Sequence, residues 1–200
     1  MSAQSVKDIK KEIYLMLHKA EEMLQFTEEA FSKNKTPSLD QALELANEIH
    51  QKEDALTESL AKNASSDNEA RSIIGVPSQI EKAVTSIERI VENTRVKIKD
   101  GLLFSDKAID ETNKMLSSAK DLLKKAGEAA VSGKKESTDT IVAGSDTLIR
   151  MADSFATAHE ERLVTGECSP KASSTYLCIL YAFGDMASYT KNALRKLTVQ

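Results

Sequence analysis

The stretch IEKAVTSIERIVENT at residues 80–94 has a counterpart in YLCILYAFGDMASYT at residues 176–190. In both stretches the apolar residues recur every three or four positions, which is the spacing of one face of an α-helix. A shift of 96 residues superimposes the two faces, and it predicts equivalent helices in the two halves of the chain. The matched positions are Ile80, Val84, Ile87, Ile90 and Thr94 in the first stretch and Tyr176, Leu180, Phe183, Met186 and Thr190 in the second.

The helices that open the two halves show the same relationship at a shift of 99 residues. The two shifts differ by three residues, as turns of different length would produce. An internal repeat of this kind indicates a duplicated structural unit. The matched residues are Met16, Leu17, Ala20, Leu24, Glu29, Ala30 and Lys35 in the first half and Met115, Leu116, Ala119, Leu123, Glu128, Ala129 and Lys134 in the second.

Helix start signals divide the first half into three helices. A Ser followed three residues later by Gln or Glu has the spacing of a capping box. It predicts helix starts at Ser38, Ser66 and Ser78, and Pro77 predicts that the third helix either kinks or restarts there. The first helix is expected to bury one face, made of Ile9, Ile13, Met16, Leu17, Ala20, Met23, Leu24, Thr27, Ala30 and Phe31.

The second half is predicted to form helices over residues 105–131, about 137–165 and 169–197. The last of these has Ser169 at the cap and Pro170 at the first helical position, which is a favoured start. The methionines on the apolar stripes are expected to pack in or near the core rather than to bind a soft metal. They are Met16, Met23, Met115, Met151 and Met186.

Composition agrees with a helical fold. The 200 residues are 40% hydrophobic and only 4% aromatic, with seven Gly and three Pro. This content favours α-helix throughout. Three amphipathic helices joined by short turns pack as an antiparallel bundle. We therefore predict an all-α domain over residues 1–200, built of six helices in two repeated three-helix units at 8–99 and 104–198.

Charge and hydropathy narrow the class of protein. A net charge of −4 gives no broad cationic surface for a phosphate backbone, so no nucleic-acid partner is expected. The longest apolar run, residues 176–183, has eight residues, whereas a membrane-spanning helix needs about 20. The first residues also lack the pattern of a signal peptide. We expect a soluble cytoplasmic chain without direct membrane insertion.

Cys168 and Cys178 lack the spacing of metal sites and of redox motifs, and they are expected to be small hydrophobic residues of the structure.

Known enzyme signatures are missing from the sequence. The seven glycines form neither the GxGxxG nor the GxxxxGK pattern of phosphate-binding loops. No GxSxG nucleophile elbow is present. The Glu-x-x-His motif of di-iron bundles is absent, because the residues three positions before the histidines are Leu15, Asn47 and Ala156 instead of Glu. We therefore predict a protein that is not an enzyme.

Glu88 and Glu92 are one helical turn apart and share a face of the third predicted helix. Hard cations bind clustered carboxylate oxygens, usually with further ligands from another helix or from water. The pair is therefore a candidate metal site. The alternative is a solvated acidic face, because such pairs are common in a chain with 29% charged residues and because Arg89 and Arg95 lie close by.

His159 and Arg162 are three residues apart near the end of the fifth predicted helix. They share a face and could bind an anion or a carboxylate of a partner protein. The alternative is a structural role, because basic residues in the last turns of a helix complement its dipole and bind its terminal carbonyl groups.

The segment IERIVENT at residues 87–94 resembles the LERIGDHA signature of the PhoU family. These phosphate-uptake regulators consist of two three-helix repeats with an E/D-x-x-x-D motif on the third helix of each. The tail HEERLVTGECSPKASSTYLCILYAF at residues 159–183 resembles the pattern HxxRLxxGxxS…S…YLxIL, especially in PhoU-like cytosolic tails of sodium-phosphate cotransporters. LLFSDKAIDE at residues 102–111 resembles the start of the second repeat. The resemblance covers about residues 8–197.

The resemblance implies a metal site in the first half only. Glu88 and Arg89 match the family motif, and Glu92 replaces the usual Asp with the same charge. A divalent or iron-type metal ion is the cofactor that the motif implies. In the second half the two motif positions fall on Gly184 and Ser188, which offer no carboxylate.

The resemblance implies a cytoplasmic regulator of phosphate transport or phosphate signalling that acts by protein–protein binding. Its expected partner is a membrane phosphate transporter or the signalling partner of one. Binding to that partner would hold the chain at the inner face of the membrane. The chain could also form a homodimer. One alternative is a helical scaffold or dimerisation module with a vestigial metal motif and a partner unrelated to phosphate. Another is a chain derived from a cotransporter tail.

Overall fold

The computed structural model describes residues 5–198 and places them in seven α-helices. No strand occurs within that range. The predicted all-α fold is confirmed, and the six long helices correspond to the six predicted ones. The helices are α1 (Val6–Lys33), α2 (Pro37–Asn63), α3 (Asn68–Ile73), α4 (Val76–Lys99), α5 (Asp106–Ser132), α6 (Lys135–Val164) and α7 (Pro170–Thr198).

The additional short helix α3 exists because the third predicted helix restarts at Pro77. Gly75 is the N-cap of α4, and Pro77 lies in its first turn. A proline is tolerated there because the first N–H groups of a helix have no acceptor within the helix. The N-cap of α3 is Asp67, whose carboxylate accepts hydrogen bonds from the backbone N–H groups of Glu69 and Ala70 at 2.8 and 3.2 Å.

The three predicted capping boxes of the first half are wrong. α2 begins at Pro37 with Thr36 as its N-cap, so Ser38 already lies inside the helix. Pro77 moves the start of α4 ahead of Ser78 in the same way. At α3 the carboxylate of Asp67 takes the capping role predicted for Ser66.

The predicted starts of α5 and α7 agree with the structure. Ser105 caps α5, and its hydroxyl oxygen accepts from the Ala108 N–H at 3.3 Å. α7 begins at Pro170, directly after Ser169.

The predicted buried face of α1 is confirmed at all of its positions. The matched faces of α4 and α7 are likewise buried, with each of their predicted residues at most 1% exposed. Burial of one large apolar side chain contributes about 1.5–3 kcal/mol, so these three stripes account for a large part of the core. Four of the five stripe methionines are fully buried and Met151 packs against the core, as predicted.

The long helices pack as two groups of three. In the first group α2 lies against α1 and α4, and in the second α6 lies against α5 and α7. The groups meet where α1 packs along α5 and where α4 packs along α7, which is the most extensive helix pairing among the described residues. Helices predicted to be equivalent therefore face each other across the seam. The duplication itself, with units at 8–99 and 104–198, stays a prediction.

The prediction for the two cysteines is wrong in part. Cys178 is exposed on the outer face of α7, while Cys168 is half-buried in the turn before that helix. Cys178 lies two positions after the buried Tyr176 and one position before the buried Ile179. Consecutive helical residues are about 100° apart, so Cys178 is on a different side of the helix from both. An apolar run in the sequence therefore does not place every one of its members in the core. Within residues 5–198, no helix combines the length and the apolar character needed to cross a membrane.

Candidate functional site

Glu88 lies beside a histidine of the neighbouring helix. Its Oε2 atom is 3.2 Å from Nε2 of His50 on α2. The other ring nitrogen of His50, Nδ1, is 3.4 Å from Oε1 of Glu81. Glu81 and Glu88 are two turns apart on α4 and share a face, so the imidazole lies between two carboxylates. All three side chains are about one-third exposed, which makes this cluster accessible from solvent.

Glu92 has a different partner. Its Oε2 atom is 3.6 Å from Nε of Arg95, whose NH2 group lies 2.9 Å from Asp40 at the start of α2. Glu92 is half exposed. The two predicted ligands therefore share a helical face but are paired with separate basic groups, one with His50 and the other with Arg95.

The fit of a metal ion to this face depends on those pairings. The donors present, two carboxylates and one imidazole, suit a divalent or iron-type ion. Among the described residues, however, no group of three or more His, Cys, Asp or Glu side chains is arranged to hold a metal. To coordinate one ion together, Glu88 would have to break or loosen its contact with His50, and Glu92 its contact with Arg95. Metal binding at this pair stays a prediction.

The positions in the second half that correspond to Glu88 and Glu92 are Gly184 and Ser188. Gly184 stands where the 96-residue shift places Glu88, and a Cβ atom built on Gly184 would lie 3.7 Å from Cβ of Ala152 on α6. Gly184 thus lies close to a small residue of the neighbouring helix. A metal site confined to the first half stays a prediction.

Arg162 is held inside the chain by Glu111 of α5. The NH1 and NH2 groups donate to the two carboxylate oxygens at 3.1 and 2.7 Å, which is the bidentate arrangement. The hydroxyl of Tyr176 on α7 donates to the same carboxylate. Glu111 is only 3% exposed and Tyr176 only 1%. The three residues therefore join α5, α6 and α7 through one buried polar cluster.

Electrostatics within this cluster keep Arg162 and Tyr176 each in one protonation state. The hydrogen bond to Glu111 raises the pKa of Arg162, which stays charged. Burial, and next the hydrogen bond to Glu111, raise the pKa of the Tyr176 hydroxyl, which stays protonated and can donate. A buried carboxylate with two such donors has its charge compensated, whereas loss of either donor would leave part of that charge unpaired.

His159 packs on the cluster one turn before Arg162. Its Nε2 atom lies 2.9 Å from the Ser173 hydroxyl, and its ring centroid lies 4.7 Å from that of Tyr176. Its Nδ1 atom is buried without a hydrogen-bond partner. Burial, and next the charge of Arg162, lower the pKa of His159, so the ring is neutral at neutral pH.

His159 and Arg162 were predicted to contact a partner or an anion. The structure brings them together, but it directs both towards residues of the same chain. Their role towards a partner stays a prediction, and the contacts described here are structural. The polar roles of Glu111 and Tyr176 were not predicted, although the sequence holds a signal: Glu111 lies four positions before Met115 of the predicted apolar stripe, and so on the same helical face.

Comparison with solved structures identifies the fold. No protein-family model matches the sequence, and no curated protein matches it either. The phosphate transport system regulatory protein PhoU from Streptococcus pneumoniae superimposes with a TM-score of 0.82 over 95% of this chain and 91% of its own, at 14% identity. PhoU from Pseudomonas aeruginosa superimposes with a TM-score of 0.75 over 96% of this chain and 94% of its own, at 17% identity. The chain has the PhoU fold.

The fold implied by the sequence resemblance is thus confirmed for nearly the whole length of the chain. At identities of 14% and 17% the likeness concerns the fold alone. Function must therefore be argued from the residues that this chain places on the PhoU fold.

Proposed function

We propose that this chain is a cytoplasmic, non-enzymatic regulator of phosphate transport or phosphate signalling. It acts by binding a protein partner, either a membrane phosphate transporter or the signalling partner of one. The observation that carries the proposal is the superposition on a phosphate transport system regulatory protein over more than nine-tenths of both chains. The sequence resemblance at residues 87–94 and 159–183 supports the same assignment.

The partner-binding surface proposed here is the polar face of α2 and α4. It carries the accessible cluster of His50, Glu81 and Glu88, with Glu92 and its partner Arg95 one turn further along. Exposed charged groups of this kind determine orientation and specificity in protein association more than affinity. A metal ion at Glu88 and Glu92 would be an optional bridging element on the same face.

Regulation by such a protein is stoichiometric. A docked regulator that binds one transporter state more tightly than another shifts the population towards the state it prefers. The size of the shift is limited by the ratio of the two affinities. Binding alone produces the shift, so regulation of this kind needs no catalytic step.

Co-purification from native membranes tests the proposal. The affinity-tagged chain is expressed at its normal level, with and without phosphate starvation, and the captured proteins are identified by mass spectrometry. Enrichment of a phosphate-transport or phosphate-signalling component in either condition is expected. Its loss in a Glu81→Gln/Glu88→Gln variant would place the contact on the α2–α4 face. Recovery of no such component in either condition would contradict the proposal.

A second function, that of a helical scaffold or dimerisation module, is favoured by one observation. Glu88 and Glu92 have separate basic partners, as expected for a motif that has lost its metal. Light scattering at several protein concentrations measures the oligomeric state. A stable dimer, combined with captured partners unrelated to phosphate, would favour this second function.

A further inference from the structure

A cavity of about 490 Å³ opens between the two halves of the chain. It lies where the C-terminal ends of α1 and α4 meet the segment that leads into α5, so residues of both halves line it. Its walls are mostly apolar. The residues that matter here are Phe31, Asn34, Lys97, Leu102, Phe104 and Ile109.

Lys97 is the single charged residue that lines this cavity among the described residues. Its Nζ atom donates to Oδ1 of Asn34 at 3.1 Å and lies 5.0 Å from the ring centroid of Phe31 and 5.7 Å from that of Phe104. Rings at these distances attract a cation but do not neutralise it. Within residues 5–197, Lys97 forms no ion pair with a carboxylate.

Other partly buried lysines of the chain are neutralised. Three of them, each with a side chain about one-fifth exposed, lie close to a carboxylate of another helix. The pairs are Lys10 with Glu69 at 2.6 Å, Lys120 with Glu28 at 2.5 Å and Lys191 with Asp146 at 2.8 Å. Lys97 differs from them in lacking such a partner. Burial lowers the pKa of Lys97, with no carboxylate to oppose that effect.

An ammonium group in an apolar cavity without a counter-ion is unfavourable, and an anionic ligand would remove that cost. We propose that this cavity binds a small carboxylic acid with an apolar or aromatic body. The carboxylate pairs with Nζ of Lys97, while the body packs against Phe31, Phe104 and Leu102. One cation matches one negative charge, which favours a monocarboxylate over a phosphate dianion.

The size of the cavity supports a free small molecule as the ligand. Pockets that bind small molecules have volumes of about 300–1,000 Å³ and are mostly apolar with a few polar groups. Leu103 lines the same cavity and is 86% exposed. Because Leu103 lines the cavity, its backbone amide is expected to shift when a ligand binds there.

The test is an NMR titration of the full-length ¹⁵N-labelled chain with 3-phenylpropionate, using the uncharged 3-phenylpropionamide as a matched probe. Saturable shifts of the Leu102, Leu103 and Phe104 amides are expected with the acid. The amide should bind about tenfold more weakly, a ratio equal to about 1.4 kcal/mol. Equal binding of the two probes, or no saturable shift at these residues, would overturn the proposal. This comparison needs no variant.

Two variants add a second measurement. Lys97→Met keeps the apolar stem and removes the charge, and it should weaken binding of the acid about tenfold. Lys99→Met, at an exposed position two residues away, should leave binding unchanged. Unchanged affinity in Lys97→Met would contradict the assignment. If an acetylated and amidated Ala-Phe-Asp-Ala peptide bound more tightly than the free acid, the cavity would belong to a protein partner instead, which also overturns the free-acid assignment.

Discussion

The guanidinium of Arg89 on α4 lies 2.6 Å from the carboxylate of Asp185 on α7. These residues occupy the same position in the two stretches related by the 96-residue shift. α4 and α7 are antiparallel, because Lys82 lies beside Tyr189 and Gly75 lies beside Lys196. In an antiparallel pair related by a two-fold axis, equivalent positions meet only where the axis passes between them. If the halves arose by duplication, the axis of the bundle therefore passes beside this salt bridge.

The Arg89–Asp185 pair is expected to contribute little to stability. Both side chains are about half exposed, and exposed ion pairs typically contribute about 0.2–1 kcal/mol. A double-mutant cycle with Arg89→Ala and Asp185→Ala, followed by urea denaturation, measures the coupling. We expect a value within that range that decreases as salt is added. A coupling that exceeds the range and is insensitive to salt would show that the pair is shielded from solvent.

The buried cluster of Glu111, Arg162 and Tyr176 should contribute far more. Arg162→Met leaves the Glu111 carboxylate with one donor, and it should lower the free energy of unfolding by about 3–5 kcal/mol. Tyr176→Phe removes one hydrogen bond to a charged group, and it should cost about 1.5–3 kcal/mol.

The double variant Glu111→Leu/Arg162→Met is the control for this prediction. It removes both charges together, so it should be more stable than Arg162→Met alone. If the double variant were the less stable of the two, the cost would arise from packing and not from an unpaired charge.

His159 should make stability depend on pH. Its pKa is lowered in the folded state from a value of about 6.5 in the unfolded chain. Below that pH the unfolded state binds more protons, so stability falls as the pH decreases through about 6.5, and His159 has no effect above it. Measurement of the free energy of unfolding between about pH 5 and 8 should show a smaller decrease in His159→Gln than in the wild type. Identical slopes would contradict the lowered pKa.

Metal binding at Glu88 and Glu92 can be tested by elemental analysis of protein purified without a histidine tag. We expect a bound divalent or iron-type metal that is lost in Glu88→Ala/Glu92→Ala. The matched control is Glu44→Ala/Glu48→Ala, an exposed acidic pair with the same spacing on α2, which should keep the metal. If the wild type and the Glu88→Ala/Glu92→Ala variant contained equal amounts of metal, the site would be excluded.

The fold could be predicted because its determinants are local and periodic. The buried face of α1 and the matched faces of α4 and α7 follow from spacing alone, since the core selects one side of each helix. Helix starts were harder to predict. Several neighbouring residues can serve as the N-cap of a helix. Because a proline lies in the first turn of α2 and of α4, these helices begin before Ser38 and Ser78.

The polar contacts could not be predicted, because they join residues far apart in the sequence. Arg162 and its partner Glu111 are 51 positions apart, and His50 and Glu88 are 38 positions apart. A motif on one helix identifies one side of a site only. The partners depend on which helices become neighbours and on their rotation about their own axes, which spacing does not specify.

The central claim, that the chain regulates phosphate transport, is tested most directly by phosphate uptake in the cells that encode it. The initial rate of uptake of radiolabelled phosphate is measured in the wild type, in a strain that lacks the gene and in that strain carrying a restored copy. Each strain is grown with abundant and with limiting phosphate. We predict that loss of the gene changes the rate in at least one condition and that the restored copy reverses the change. Equal rates in all three strains under both conditions would contradict the claim.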